Sequence, residues 1–179
     1  FFHLKKTDAA YGLLNTSLIK TSLTRLSFAI QAFDRLTGSK NEDGIFSAQL
    51  FFDEQPVIIF SLDSISYAET RYVNAHVDYQ YRFNGGVFVQ HLSRLPGDHS
   101  GVYHPQNADG VISLNDTAIH SVRIEVKDAY HNVSNLKFSI QHFDVVNPPA
   151  RLQSAATLFV PNYVNVLEKP SFEAYLPET

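Results

Sequence analysis

"HSVRIEVKDAYHNVSNLKFSIQHF", residues 120–143, decides the fold class of this chain. In both halves of the stretch, polar residues alternate with a second set of positions. This second set is apolar except for the histidine at the start. This alternating set is His120, Val122, Ile124, Val126, Leu136, Phe138 and Ile140. A side-chain period of two is typical of a β-strand with one buried face. The stretch therefore predicts two strands with a short loop between them.

The same pattern recurs upstream. It is clearest in TRLSFAIQAFD (24–34), and IFSAQLFF (45–52) and VIIFSL (57–62) flank a short polar interval that predicts a hairpin turn. Two shorter runs follow, VFVQHLS (87–93) and GVISL (110–114). Several short strands without a convincing long helix predict an all-β fold, specifically an antiparallel immunoglobulin-like β-sandwich.

The domain organisation follows from these strands. We assign residues 23–143 to the sandwich, residues 1–22 to an N-terminal connecting segment, and the proline-containing residues 144–179 to a linker and the start of a further β unit. A chain of 179 residues that is 44% hydrophobic can bury one good-sized core.

Composition narrows the classes of partner. The chain carries 14 Lys and Arg against 18 Asp and Glu, a net charge of −4, so no basic surface is expected for nucleic acid. No apolar run approaches the roughly 20 residues that span a bilayer, so no membrane insertion is expected. Cysteine is absent, which leaves His, Asp and Glu as the available metal ligands, and no cofactor is predicted.

The densest polar chemistry lies in YAETRYVNAHVDYQYR, residues 67–82. As a helix, this stretch would place His76 and Asp78 on different sides; as a strand, it would place them on one face, where a metal would still need a third ligand. The preferred interpretation is a charged connection between strands, in which Glu69, Arg71 and Asp78 form surface or half-buried pairs while tyrosines cover the edge of the sandwich. The candidates for a structural patch or a ligand contact are Glu69, Arg71, Tyr72, His76 and Asp78. Tyr79 is expected to be a further anchor.

Two other groups of residues are candidate sites. Asp34 and Asp128 each end a strand and open a loop, and we expect both to be structural caps that accept hydrogen bonds from loop amides. His91, His99 and His104 fall within one short span, but the chain has no His-x-His or His-x-x-x-His pair, so a coincidental surface cluster is the expectation. No catalytic residue is assigned.

Three blocks carry a family resemblance: IQAFDRLTGSKNEDGIFSAQLFFDEQPV (30–57), DSISYAETRYVNAHVDY (63–79) and DGVISLNDTAIHSVRIEVKDAYHNVS (109–134). In this order they resemble the immunoglobulin-like region that follows the catalytic domain in lysostaphin-type zinc metalloendopeptidases of Gram-negative bacteria. The tail, FVPNYVNVLEKPSFEAYLPE, is similar to the segment that leads into a further β region of these proteins. The family often has Gly where Glu54 and His131 stand, which would suit a positive φ.

The resemblance implies an accessory role in the cell envelope, periplasmic or secreted. Such peptidases bind zinc through His-x-x-x-Asp and His-x-His, and neither motif is present here. The implied partners are an adjacent peptidase domain or a component of the peptidoglycan cell wall. Three functions remain, in order of preference. They are a non-catalytic structural or interaction module, a glycan- or peptide-binding module that uses exposed aromatics, and a self-contained metal-dependent hydrolase.

Overall fold

The chain folds as an all-β protein, as predicted. The computed structural model describes residues 2–7, 10–34, 42–144 and 163–167, with the backbone alone for residue 71 and for 163–167. Within these residues, one helical connection interrupts the series of strands. The strands are β1 (Phe2–Lys6), β2 (Tyr11–Leu13), β3 (Leu18–Thr21), β4 (Arg25–Gln31), β5 (Ser47–Phe52), β6 (Gln55–Ser61), β7 (Gln90–His91), β8 (Tyr103–Pro105), β9 (Ile112–Ser113), β10 (Ile119–Lys127), β11 (Val133–His142) and β12 (Tyr163–Leu167).

The first sheet is built around the antiparallel hairpin of β10 and β11, which the opening stretch predicts. Beyond β10 the sheet continues through β5 and β6 to β8, and every pairing on this side is antiparallel. On its other side, β11 pairs in parallel with β2 near its start and with β3 near its end. The inward positions Val122, Ile124 and Phe138 are buried, as the alternation predicts.

The second sheet is centred on β4. One edge of β4 pairs antiparallel with β7 and β9, and its other edge pairs in parallel with β12, which in turn pairs with β1. The strand β1 belongs to both sheets, because Phe2 and His3 pair with β12 whereas Leu4 to Lys6 pair with β2.

The core lies between the two sheets. The ring of Phe28, on β4, packs edge-on against Phe138, on β11, with 5.4 Å between the ring centroids. Leu26 and Ile30 flank Phe28 on the same buried face of β4. The opposite face of β4 is also covered at Ala29, which packs with Val89. This second covering explains why polar alternation alone underestimates the burial of β4.

The β5–β6 hairpin has a two-residue turn, because Phe52 pairs directly with Gln55. Its turn residues Asp53 and Glu54 have φ of 48° and 59°, the left-handed pair of a type I′ turn. His131, in the β10–β11 loop, has φ of 63°. Both positions where the resembled family often has Gly therefore hold left-handed backbone.

The ends of the chain differ from the predicted organisation. Residues 1–22, predicted as a connecting segment, supply β1, β2 and β3, and Leu13 and Ile19 are part of the buried core. These strands have three to five residues, too few to show a clear period. In the predicted tail, residues 163–167 join the second sheet through their backbone, while most of the predicted linker, residues 145–162, lies outside the described residues.

Candidate functional site

The polar stretch singled out in the sequence is a helical connection between the two sheets. It leaves β6 in the first sheet and reaches β7 in the second through a 3-10 helix, Tyr67–His76, and a short helix α1, Tyr79–Phe83. The side chain of Asp78 caps α1 by accepting a hydrogen bond from the Tyr81 amide at 3.0 Å. The Asp78 amide donates to the Val89 carbonyl at 3.0 Å, which ties the connection to the residues before β7. We call residues 62–89 the crossover.

The first predicted binding residues lie on the 3-10 helix. The Glu69 carboxylate accepts a hydrogen bond from the Gly101 amide at 3.2 Å, so it links the crossover to the loop before β8. Tyr72 is half-buried, in keeping with an anchoring ring. Arg71 lies on the same 3-10 helix. Tyr79 is not the anchor that was predicted, because 64% of its surface is exposed.

His76 and Asp78 are both buried where the crossover meets the core. The His76 Nδ1–H donates to the Val73 carbonyl, and the ring stacks on Phe60 of β6 with 5.1 Å between centroids. Burial lowers the pKa of His76, against the opposing effects of the Val73 hydrogen bond and the charge of Asp98. The imidazole is therefore neutral at neutral pH.

His91 lies beside this pair rather than with the other two histidines of its span. Burial lowers the pKa of His91, whereas the negative charge of Asp78 acts to raise it. His99 and His104 are exposed. The predicted surface cluster of three histidines is therefore wrong for His91, because strand pairing in β7 turns it into the interior.

Tyr103 connects the edges of the two sheets. Its hydroxyl, on β8 of the first sheet, donates to the His91 carbonyl, on β7 of the second sheet, at 3.0 Å. Burial, aided by the charge of Asp98, raises the pKa of Tyr103 well above its usual range. Asp98 is itself buried and accepts a hydrogen bond from the Ser100 amide at 2.8 Å. We call His76, Asp78, His91, Asp98 and Tyr103 the polar cluster.

The polar cluster holds neutral imidazoles, buried carboxylates and a neutral phenol. Asp98 Oδ2, Ser100 Oγ and Gln90 Oε1 are buried and have no hydrogen-bond partner among the described residues. Buried polar atoms of this kind are ordinarily satisfied by ordered water. Across the described ranges, no three His, Asp or Glu side chains converge as metal ligands. Sequence spacing does not identify Asp98 or Tyr103 as a site residue, because only the folding of β6 to β8 brings them close to His76.

A second site lies where several strands end. A pocket of about 270 Å³ opens between β4, β10 and β11, and Asp34 and Asp128 both line it. The Asp128 carboxylate accepts hydrogen bonds from the Tyr130 amide and from both the amide and the side chain of Asn132, at 2.6 to 2.8 Å. This is the geometry expected of a loop cap. Asp34 exchanges two backbone hydrogen bonds with Asp43, each 2.9 Å long. We call this the end pocket.

A third feature escaped the sequence analysis. His120 lies between two carboxylates, with Nδ1 2.7 Å from Asp53 Oδ2 and Nε2 3.0 Å from Asp116 Oδ1. The ring also stacks on Phe52 at 4.8 Å. Hydrogen bonding to Asp53 and Asp116 raises the pKa of His120 in spite of partial burial. Alternation placed His120 among inward-facing residues. Asp116 is a local partner, whereas Asp53 comes from the β5–β6 turn and no local pattern predicts it.

The crossover also presents aromatic rings to solvent. Tyr79 and Phe83, one turn apart on α1, stack with 6.1 Å between their centroids, and Phe83 is 76% exposed. We call these two residues the aromatic pair. Tyr67, at the start of the 3-10 helix, is 92% exposed. Exposed aromatic rings in contact with each other are typical of interaction surfaces.

Comparison with known proteins gives no relative. No family model, curated protein or solved structure matches the chain. Among the described residues, no helix has the length and apolar character that crossing a membrane requires.

Proposed function

We propose that this chain is a non-catalytic accessory module of a peptidoglycan metallopeptidase and that it acts by contact with a neighbouring peptidase domain or with the cell wall. The proposal places it in the cell envelope, periplasmic or secreted. Its supports are the three resembling blocks of sequence and the all-β fold with two packed sheets. A strand that pairs with both sheets, as β1 does, also supports an immunoglobulin-like arrangement.

The observation that carries the interaction role is the aromatic pair. Tyr79 and Phe83 project from a helix too short to be stable alone, and the crossover holds that helix in place through Asp78 and the Tyr81–Gly86 backbone hydrogen bond. A fixed pair of rings loses little side-chain entropy on binding, so its apolar area is available for a partner.

The aromatic pair also favours the alternative of a glycan- or peptide-binding module. Stacked rings present a flat apolar face, which suits the apolar face of a sugar ring or an extended peptide side chain. The two forms of the proposal differ in what covers the pair: a sugar or peptide of the wall in one, and a protein surface in the other.

Co-sedimentation with purified peptidoglycan tests both forms. Retention of the native chain, weakened about 10- to 100-fold by the double substitution Tyr79→Ala and Phe83→Ala, supports wall binding through the pair. Absence of retention supports packing against a peptidase domain.

Tyr130→Ala is the matched control. Tyr130 is 73% exposed and lies in the β10–β11 loop, outside residues 62–89. It should leave retention unchanged. If the native chain is retained and Tyr130→Ala abolishes retention while the double variant keeps it, the aromatic pair is not the contact surface.

A further inference from the structure

The second sheet contains a gap between β4 and β1 that β12 fills. β12 pairs in parallel with both of these strands. On one side it pairs with residues 27–31 of β4, whose other edge pairs with β7 and β9. On the other side it pairs with Phe2 and His3 of β1. We call the gap between β1 and β4 the strand slot.

The strand slot is bounded by a buried strand. Phe28 and Ala29 of β4 have no exposed surface, and Ile30 is 3% exposed. A buried backbone N–H or C=O group without a hydrogen-bond partner costs about 1 to 3 kcal/mol. Departure of β12 would leave one edge of β4 without its backbone partners, and an unpaired edge is a template for a strand of another chain. The slot therefore favours occupation by an extended segment.

The connection to β12 is longer than the distance that it has to cover. Residues 143–162 lie between β11 and β12, and a chain of this length extends over about 65 Å. Its two ends lie near one short segment, because the Phe143 amide donates to the Thr21 carbonyl at 2.9 Å and Tyr163 pairs with Ser27. The path along that segment is at most about 30 Å long. The length of the connection therefore does not restrict β12 to the slot of its own chain.

We propose that the strand slot also accepts β12 of a second copy of this chain, so that two copies exchange this strand. β12 has the direction and register that the slot requires, and exchange of an identical element forms the same backbone pairs between two chains as within one. The connection keeps β12 at an effective concentration of about 1 mM near its own slot. Exchange therefore becomes appreciable as the protein concentration approaches this value. The inference concerns backbone pairing in the second sheet and does not depend on the proposed function.

Cysteines placed on β4 and β12 test the exchange, since the native chain has no cysteine. Gln31 and Leu167 are register partners. Neighbouring strands lie about 4.8 Å apart, within the Cα separation that a disulfide allows. Full-length Gln31→Cys and Leu167→Cys chains are purified separately, mixed at 1 mM and oxidised. We expect a disulfide between the two chains, identified by mass spectrometry of the linked peptides. A single chain with both substitutions should form the bond internally at 10 µM.

A mixture of Gln31→Cys with Tyr163→Cys is the matched control. Tyr163 pairs with Ser27, four residues from Gln31 along β4. These positions are about 13 Å apart, too far for a disulfide in the observed register. The control mixture should therefore link at least about 10-fold more slowly than the matched one. Equal rates would mean random collision of the cysteines and would overturn the proposal.

Sedimentation equilibrium of the native chain is a second measurement, which needs no variant. The dimeric fraction should rise from about 2% of the chains at 10 µM to about half at 1 mM, as expected for a Kd near 1 mM. The double substitution Tyr79→Ala and Phe83→Ala should leave these fractions unchanged, which separates strand exchange from contact through the aromatic pair. A native chain that remains monomeric at 1 mM, or a dimer that the double substitution abolishes, would overturn the proposal.

Discussion

Left-handed backbone lowers stability at residues other than glycine, and this chain adopts it at Asp53, Glu54 and His131. A side chain in this region clashes with its own backbone, at roughly 1 to 2 kcal/mol per residue. Glu54→Gly should therefore raise the free energy of unfolding by about 0.5 to 1 kcal/mol. The gain is limited because Glu54 also pairs with Arg123 at 3.0 Å on the surface.

Urea unfolding of Glu54→Gly beside Gln55→Gly measures this effect. Gln55 is the next residue and already belongs to β6. Glycine within a strand lowers stability by about 0.5 to 1 kcal/mol. Opposite signs for the two variants are expected, and equal destabilisation would contradict the left-handed assignment of Glu54.

His120 should make stability depend on pH. Because its pKa is raised in the folded state, the stabilisation from its charged ring is complete below the unfolded value of about 6.5 and is lost as pH rises through the folded pKa. The pKa values of Asp53 and Asp116 are lowered, so their share is lost only as pH falls through their own folded values, below about 3.8. The interaction of His120 with Asp53 and Asp116 therefore stabilises the folded state fully between about pH 3.8 and about pH 6.5.

The difference between the native chain and His120→Gln isolates this contribution from that of the buried histidines. The variant should be less stable than the native chain near pH 5.5, and the gap should shrink toward about pH 9. His104→Gln, at an exposed site, is measured beside it as the control for loss of an imidazole ring. A gap that is constant with pH would mean that His120 is not held as an ion between the two carboxylates.

At the scale of elements, the loop between β8 and β9 depends on a close backbone approach. Gly110 has φ of 89°, and a Cβ there would lie 2.1 Å from the Leu92 carbonyl oxygen. Gly97 has a similar φ of 82° but open space around it. Gly110→Ala should cost more than about 3 kcal/mol, whereas Gly97→Ala should cost about 1 kcal/mol from backbone strain alone. Thermal unfolding of the two variants compares them, and equal losses would refute the close approach.

The elements also differ in how far the sequence predicts them. Alternation identified β4, β10 and β11 because each buries at least one face along seven to ten residues. The sequence does not decide between helix and strand for the crossover, because the partial burial of its side chains follows no regular period. Its helical turns are fixed by tertiary contacts, such as those of Glu69 with Gly101 and of Asp78 with Val89. No local propensity reports contacts of this range.

At the scale of the whole molecule, the N-terminal strands are part of the fold. Ile19 of β3 is buried and pairs with Ile140 of β11, while the next residue, Lys20, is exposed. Ile19→Ala should lower the free energy of unfolding by about 2 to 4 kcal/mol, and Lys20→Ala by less than about 0.5 kcal/mol. Urea unfolding checks both values. Equal, small losses of unfolding free energy in the two variants would mean that residues 1–22 are a connecting segment and not part of the core.

Sequence alone could not give the sheet order or the sites. Parallel pairing of β11 with β2 and β3 joins segments more than 100 residues apart, and a pattern within one strand does not specify its neighbour. The same holds for the polar cluster, whose members lie on the crossover, on β7 and β8, and in the loop between these two strands. Asp34 and Asp128 were identified as strand ends, but only the packing of the two sheets brings them to one pocket.

Release of peptides from purified peptidoglycan tests the central claim, that this chain acts by contact and not by catalysis. The chain is incubated with peptidoglycan at neutral pH, with added Zn²⁺ or with a chelator, and newly exposed amino groups are measured against a lysostaphin-type peptidase as positive control. We predict no release above the background of peptidoglycan alone in either condition. Release that requires Zn²⁺ and is lost with the chelator would contradict the account.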